Sequence, residues 1–254
     1  MSLADRGGAR TIATTNFDLL LELAGTRRGS KVQTYSLGSI PRPTRQAEFS
    51  GVLHIHGSLD PSAERLSELV LSDQDFGEFY LRRRVVPDFI YDAARLFYIV
   101  LVGYSANDPP MRYLLNAVAA DGTRFEDLKE RFTFFGTNSP DPVAIEDWKA
   151  RGITPIHYNA GNDHSALCET LERWAELSAV NGKKGKVDAE IRRITKTARA
   201  VTSPEDRDLF DHLLRRSNSS ERTRLSALAS RSRADPGWLD AIVAIGSERE
   251  RELR

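Results

Sequence analysis

The sequence predicts an α/β fold. A Rossmann-like, doubly wound, mostly parallel sheet is expected over residues 1–178, with a charged helical tail over 179–254. Three observations predict it. Short β-branched or apolar runs alternate with amphipathic segments through the first 180 residues, the signature of strand–helix alternation. One run, Leu96 to Val102, is apolar on both faces, as a central parallel strand covered by helices on both sides requires. The composition then changes at Asn181-Gly182-Lys183-Lys184-Gly185-Lys186, which reads as a linker.

The elements follow in order. Thr11–Thr14 is a β-branched strand. It stops at Thr15-Asn16, and Phe17 to Ala24 reads as a helix that Thr15 or Asn16 could cap and Gly25 could end. Lys31–Tyr35 is a second strand. Val52–Ile55 is a third, halted by Gly57-Ser58. After the apolar run comes a helix from about Met111 to Ala119, then strands at Arg131–Phe135 and Ile153–Tyr158. Ser165–Leu177 is a helix with Leu167, Leu171, Trp174 and Leu177 at helical spacing. In the tail, Leu209, Leu213 and Leu214 form one stripe and Leu225 and Leu228 another, so helices are expected there too.

Composition narrows the function. Of 254 residues, 40% are hydrophobic and 28% charged, which is globular rather than disordered or fibrous. Lys+Arg and Asp+Glu both number 36, so the chain is no polycation, and nucleic acid is not indicated as a partner of the core. The balance is uneven along the chain: residues 181–254 hold 17 basic and 12 acidic side chains, a surplus of +5, and the first 180 are −5. With its charge and leucine stripes, the tail is expected to be a solvated appendage or a surface that docks a protein partner. Cys168 is the single cysteine, so no intramolecular disulfide and no cysteine-rich zinc site is expected. The N-terminus lacks a basic-then-apolar signal segment, and the longest apolar run falls far short of the ~20 residues of a membrane helix. The expectation is a cytoplasmic protein without a membrane partner.

Three clusters carry candidate chemistry, each at the carboxyl end of a predicted strand, where open α/β sheets bind ligands. The first is Thr14-Thr15-Asn16-Phe17-Asp18. Asn16 can donate to and accept from a ribose hydroxyl or a water, at a helix N-terminus that favours anions. The plainer alternative is that Asn16 and Asp18 only cap the helix. The second is His54-Ile55-His56-Gly57-Ser58. In a strand, i and i+2 share a face, which would point both histidines the same way. His56, last before Gly57, could serve as a general base near neutral pH, or it could be structural. The two histidines also suggest a metal, yet no third ligand stands at a useful spacing. The third is Gly103-Tyr104-Ser105-Ala106-Asn107-Asp108-Pro109. Gly103 allows close backbone approach to a ligand, Ser105 offers a hydroxyl and an N–H, and Asp108 could cap a helix or bind a ribose hydroxyl.

The order of these clusters resembles the sirtuin-like (silent information regulator 2-like) family, in its zinc-lacking prokaryotic branch. The family pattern runs Thr-Thr-Asn-Tyr-Asp, then a strand ending His-Gly-Ser, then an apolar strand ending Gly-Tyr-Ser with Asp-Pro soon after. This chain has Thr14-Thr15-Asn16-Phe17-Asp18, His56-Gly57-Ser58, and Gly103-Tyr104-Ser105 with Asp108-Pro109. The resemblance covers roughly residues 10–177. It implies a sirtuin-like Rossmann domain that uses nicotinamide adenine dinucleotide (NAD) as substrate. Asn16 and His56 would be the essential catalytic pair, and Thr14, Thr15, Asp18, Gly103, Ser105 and Asp108 would hold the nucleotide, with no metal and no zinc. It implies hydrolysis of the nicotinamide–ribose bond, in the manner of family members that deplete NAD during phage infection, in a protein that is oligomeric or answers to an activator. Deacylation fits less well: the zinc-binding cysteines are missing, and Thr15 stands where the deacylases carry glutamine. The family's opening strand and Gly-Ala-Gly-type turn has no counterpart in the ten residues before Thr11, where Gly7-Gly8 is too short to form it. An N-terminally truncated domain is therefore expected. The alternative function is a catalytically inactive nucleotide-sensing or scaffolding module that docks a partner through its tail.

Overall fold

The computed structural model describes residues 1–5, 9–27, 29, 32–45, 49–59, 69–105, 109–122, 128–139, 141–231 and 235–252. The expectations placed on Gly7-Gly8, Lys31 and Asp108 lie outside these described residues. The chain divides into two units, Met1–Leu171 and Glu172–Arg254.

Among the described residues, the first unit is built on six parallel strands in two three-stranded sheets. β1 (Thr11–Thr14), β2 (Thr34–Ser36) and β3 (Gly51–His54) form one sheet in the order β1-β3-β2. β4 (Ile99–Leu101), β5 (Arg131–Thr137) and β6 (Thr154–Asn159) form the other, in the order β4-β5-β6. Around them lie α1 (Leu20–Arg27), α2 (Asp73–Phe76) running into a π-helical turn (Gly77–Arg82), α3 (Val85–Leu96), α4 (Pro109–Gly122) and α5 (Pro142–Ala150). α6 (Gly161–Leu177) continues past Leu171 into the second unit. This is the α/β, Rossmann-like architecture that the alternation predicts, with a helical C-terminal region. β3 is buried along its whole length, as the centre of a parallel sheet must be. One apolar core joins both sheets: Leu53 of β3 lies in it with Phe89 of α3, Leu115 of α4 and Trp148 of α5, and Ile99 and Leu101 of β4 pack against it.

Several local expectations are corrected. The apolar run Leu96–Val102 is not a central strand. Only Ile99–Leu101 pairs, at the edge of its sheet, and Tyr98 and Val102 are exposed. Leu96 instead closes α3, whose buried Val86, Phe89, Ala93 and Ala94 form a helical stripe that outweighs local strand preference. Gly25 does not end α1; it lies buried inside the helix, where a side chain would collide with Val32. α1 starts at Leu20 because the Asp18 carboxylate accepts the Leu20 N–H at 3.0 Å. The regular part of α6 begins at the expected Ser165, after three residues with positive φ, Asn162, Asp163 and His164.

The second unit is helical. α7 (Lys184–Ile194), α8 (Pro204–Arg215), α9 (Ser219–Arg231) and α10 (Pro236–Glu252) close around their own core. Trp238 is fully buried at its centre, 4.5 Å from the Phe210 ring, and donates its indole N–H to the Thr197 carbonyl at 2.8 Å. Leu213, Leu214 and Leu225, expected on a docking surface, are buried in this core. The lysine-rich run is not an open linker, since Lys184 begins α7. The Lys183 N–H bonds the Glu176 carbonyl at 2.7 Å, and the Lys183 and Lys186 ammoniums both reach the Glu176 carboxylate, holding it below its usual pKa. Among the described residues, no helix is long and apolar enough to cross a membrane.

Candidate functional site

The parallel register sets Thr14 of β1 opposite His54 of β3, so both strands end at the same level. Their following loops are then sewn together. The Ile55 N–H donates to the Thr14 carbonyl at 3.0 Å, and the Leu59 N–H donates to the Phe17 carbonyl at 2.8 Å. Between them, His54 Nδ1 lies 2.8 Å from the Asn16 carbonyl oxygen. The first two sequence clusters are thereby one structural site at the carboxyl ends of β1 and β3. Asn16 is exposed there, and its N–H donates to the Thr14 hydroxyl at 3.1 Å. Thr15 is half-buried beside it. Asp18 takes the capping role on α1, the plainer of its two expected readings.

His54 and His56 do not act as a matched pair. β3 ends at His54, and His56 lies in the turn beyond, where the strand's two-residue alternation no longer applies. The fully buried His54 reaches back to α1, with Nε2 2.9 Å from Glu22 Oε1. The Thr34 hydroxyl donates to that same oxygen at 3.0 Å. Glu22 Oε2 is buried without a hydrogen-bond partner among the described residues.

His56 is 7% exposed, and its Nε2 lies 2.6 Å from the Tyr80 hydroxyl. The Phe76 ring stands edge-on to it at 5.8 Å. Both aromatics come from α2 and the π-helical turn after it. That segment is anchored at its start by a capping box. The Asp75 N–H donates to the Ser72 hydroxyl, and the Asp75 carboxylate accepts the Ser72 and Leu71 N–H groups at 2.9 and 3.1 Å. Just before that capping box, the Val70 N–H bonds the His56 carbonyl at 2.9 Å. A histidine so enclosed, held between aromatic rings, stands on the loop bonded to that of the exposed Asn16, a mix of apolar walls and placed polar groups usual for a small-molecule site.

The third cluster stands at the carboxyl end of β4 in the other sheet. Gly103 takes φ +64°, a conformation favouring glycine, and a side chain there would meet open space. Tyr104 packs on the shared core, and Ser105 is exposed. The bonds that join the first two clusters do not include this one. A separate cavity of about 520 Å³ opens beside the end of β2, lined by Tyr35, Ile40, Arg42 and Arg45 among others, and none of the expected site residues lines it. Sequence reading missed Glu22, Tyr80 and Phe76. Glu22 looks like any acidic residue in a first helical turn. The signal for Tyr80 was its place four residues after Phe76, one helical turn on.

Comparison with known proteins bears on this arrangement. The model of the SIR2-like domain family matches residues 10–156, which include β1 through the first half of β6. A protein of Sinorhizobium fredii, named uncharacterized protein y4cA, is 34% identical over 219 residues, covering 83% of this chain. The chain spans only 18% of that relative's length. An alignment of that extent passes beyond residue 156 into part of the helical unit. The matched segment contains the Asn16, His56 and Gly103-Tyr104-Ser105 clusters in family order. The chain belongs to the SIR2-like domain family.

Proposed function

We propose that the protein is a zinc-independent NAD hydrolase that cleaves the bond between nicotinamide and ribose, with Asn16 and His56 as its catalytic residues. The observation that carries this reading is the juxtaposition of an exposed asparagine with an enclosed histidine at the ends of β1 and β3, fixed by main-chain bonds. Loss of nicotinamide leaves positive charge on the ribose, as at other glycosidic centres. Nicotinamide leaves with the bonding pair, water adds to the anomeric carbon, and one proton is released with ADP-ribose. The Asn16 amide orients the ribose or the water. His56 takes the proton, a role that typically contributes ~10²–10⁴-fold. The 2.6 Å contact between His56 Nε2 and the Tyr80 hydroxyl holds the imidazole in place for that role. Thr14, Thr15, Asp18, Gly103, Ser105 and Asp108 hold the nucleotide, with Gly103 giving the close backbone approach that a ribose or phosphate needs.

The family resemblance extends this to NAD depletion in the cytoplasm as an anti-phage effector, in an oligomer or under a partner's control. Nicotinamide release from NAD, measured beside the His56→Ala and Asn16→Ala variants, tests the activity. Release by the wild type and by neither variant is expected. A well-folded wild type that neither binds nor cleaves NAD overturns the reading in favour of an inactive scaffolding module.

A further inference from the structure

We propose that His54 and Glu22 form a positioning pair that fixes the main chain of Asn16, His54 donating Nδ1–H to the Asn16 carbonyl while Glu22 holds the other imidazole nitrogen. The inference rests on the NAD-cleaving reading for its catalytic consequence, and on geometry alone for the positioning. A peptide carbonyl only accepts, so the hydrogen between His54 and Asn16 must sit on Nδ1. At Nε2, either the imidazole carries a second proton and donates to the Glu22 carboxylate, or a protonated Glu22 donates to it. Both arrangements leave Nδ1–H on the Asn16 carbonyl. The Asn16 carbonyl requires the hydrogen on Nδ1, and the Glu22 contact at Nε2 holds the ring so that this hydrogen stays aimed at it.

The pair is poorly explained by stability. Both groups are withdrawn from water, with the His54 side chain 0% and the Glu22 side chain 14% exposed, and Glu22 Oε2 has no hydrogen-bond partner among the described residues. Buried ion pairs of this kind commonly gain nothing over apolar side chains of similar volume. What the pair achieves is directional. It links β3, α1 and, through the Thr34 hydroxyl, β2 to the one carbonyl whose residue bears the exposed amide. Partners that orient a functional group from behind typically matter by ~10–100-fold, and an ångström of misplacement can cost ~10²-fold.

Two pairs of variants separate positioning from bulk stability. The Nδ2–H of His54→Asn falls where Nδ1–H stood, while His54→Gln reaches only towards Glu22. Glu22→Gln can still donate to a neutral Nε2, and Glu22→Leu cannot. Two readouts are taken on each full-length variant: nicotinamide release with kcat and KM resolved, and amide hydrogen exchange at Leu20, Ile55 and Leu59. The expected result is a loss in kcat of at least about tenfold for His54→Gln and Glu22→Leu with KM within about threefold, together with faster exchange at Leu59. His54→Asn and Glu22→Gln stay near wild type on both. Equal behaviour within each pair overturns the proposal. If the wild type releases no nicotinamide, the hydrolase reading fails and the exchange pattern alone decides the positioning claim. If His54→Gln does not fold, the Glu22 pair decides it on the same readouts.

Discussion

Replacing Tyr80 by Phe removes one oxygen from the candidate site and little else. Tyr80 and His56 are 4% and 7% exposed, so water cannot readily stand in for the lost hydroxyl. The Phe ring would keep the 5.3 Å contact with Phe76. His56 Nε2 then loses the partner it holds at 2.6 Å. Removing a hydrogen bond from a buried polar group costs ~1–3 kcal/mol. That cost falls on the ring orientation in which the imidazole is held. The population of that orientation, and with it kcat/KM, should fall by roughly 5- to 150-fold. His56→Ala should lose ~10²–10⁴-fold, because the base itself is gone. The assay is nicotinamide release under single-turnover conditions, with circular dichroism to confirm the fold. Unchanged kcat/KM in a folded Tyr80→Phe protein would refute the positioning of His56 by Tyr80. A loss as large as that of His56→Ala would mean that Tyr80 itself touches the reacting atoms.

Further outcomes are expected elsewhere. Asn16→Ala should abolish nicotinamide release while leaving the thermal midpoint within about a degree or two, since the side chain is exposed and surface changes of this kind are small; a large drop in the midpoint would assign Asn16 to the framework instead. Hydrogen bonds from the Ser72 hydroxyl, and then from the Ser72 and Leu71 N–H groups, hold the Asp75 carboxyl below its ordinary 3.8, so its stabilising effect is complete above that value and is lost as pH falls through the lower folded one. A carboxyl-carbon NMR titration should place the Asp75 midpoint below 3.8, and Ser72→Ala should move it upward. In the helical unit, Trp238→Ala should cost ~3–5 kcal/mol by urea unfolding, and a loss under about 1 kcal/mol would contradict a core centred on Trp238. Gly103→Ala meets open space but must hold φ +64°, so it should destabilise by only about 1 kcal/mol and raise the KM for NAD more than it lowers kcat.

The fold class was legible because alternation is a local signal, and β1, β5 and β6 fall where β-branched and aromatic runs place them. The edges of elements were not. α3 was hidden by Pro87 near its start, and its last residue, Leu96, reads as the first of the apolar run that follows, so only the burial stripe separates helix from strand there. Gly25 misled because a glycine near a helix end signals termination, whereas here it answers to Val32 from a neighbouring segment, a contact no local pattern contains. At the site, Asn16 and His56 were legible as a linked pair only through the family order of three clusters. The roles of Glu22 and Tyr80 depend on contacts 32 and 24 residues away along the chain, which periodicity cannot report.

The relation between Asn16 and His56 is set by backbone as much as by side chains. Thr14, Asn16 and Phe17 each offer a carbonyl towards the segment that follows β3, and Ile55, His54 and Leu59 supply the three donors. Two of those donors are peptide N–H groups, indifferent to side-chain identity, and they fix only the spacing of the loops. The third is an imidazole, which must be present, buried and in one tautomer. A slip of one residue in the β1–β3 register would bring Thr14 opposite Leu53 or Ile55 and leave the Asn16 carbonyl without that donor. The requirement thus falls on a residue that would never touch substrate. Substitutions at His54 should therefore impair nicotinamide release in proportion to the loss of the donor rather than to the change in volume.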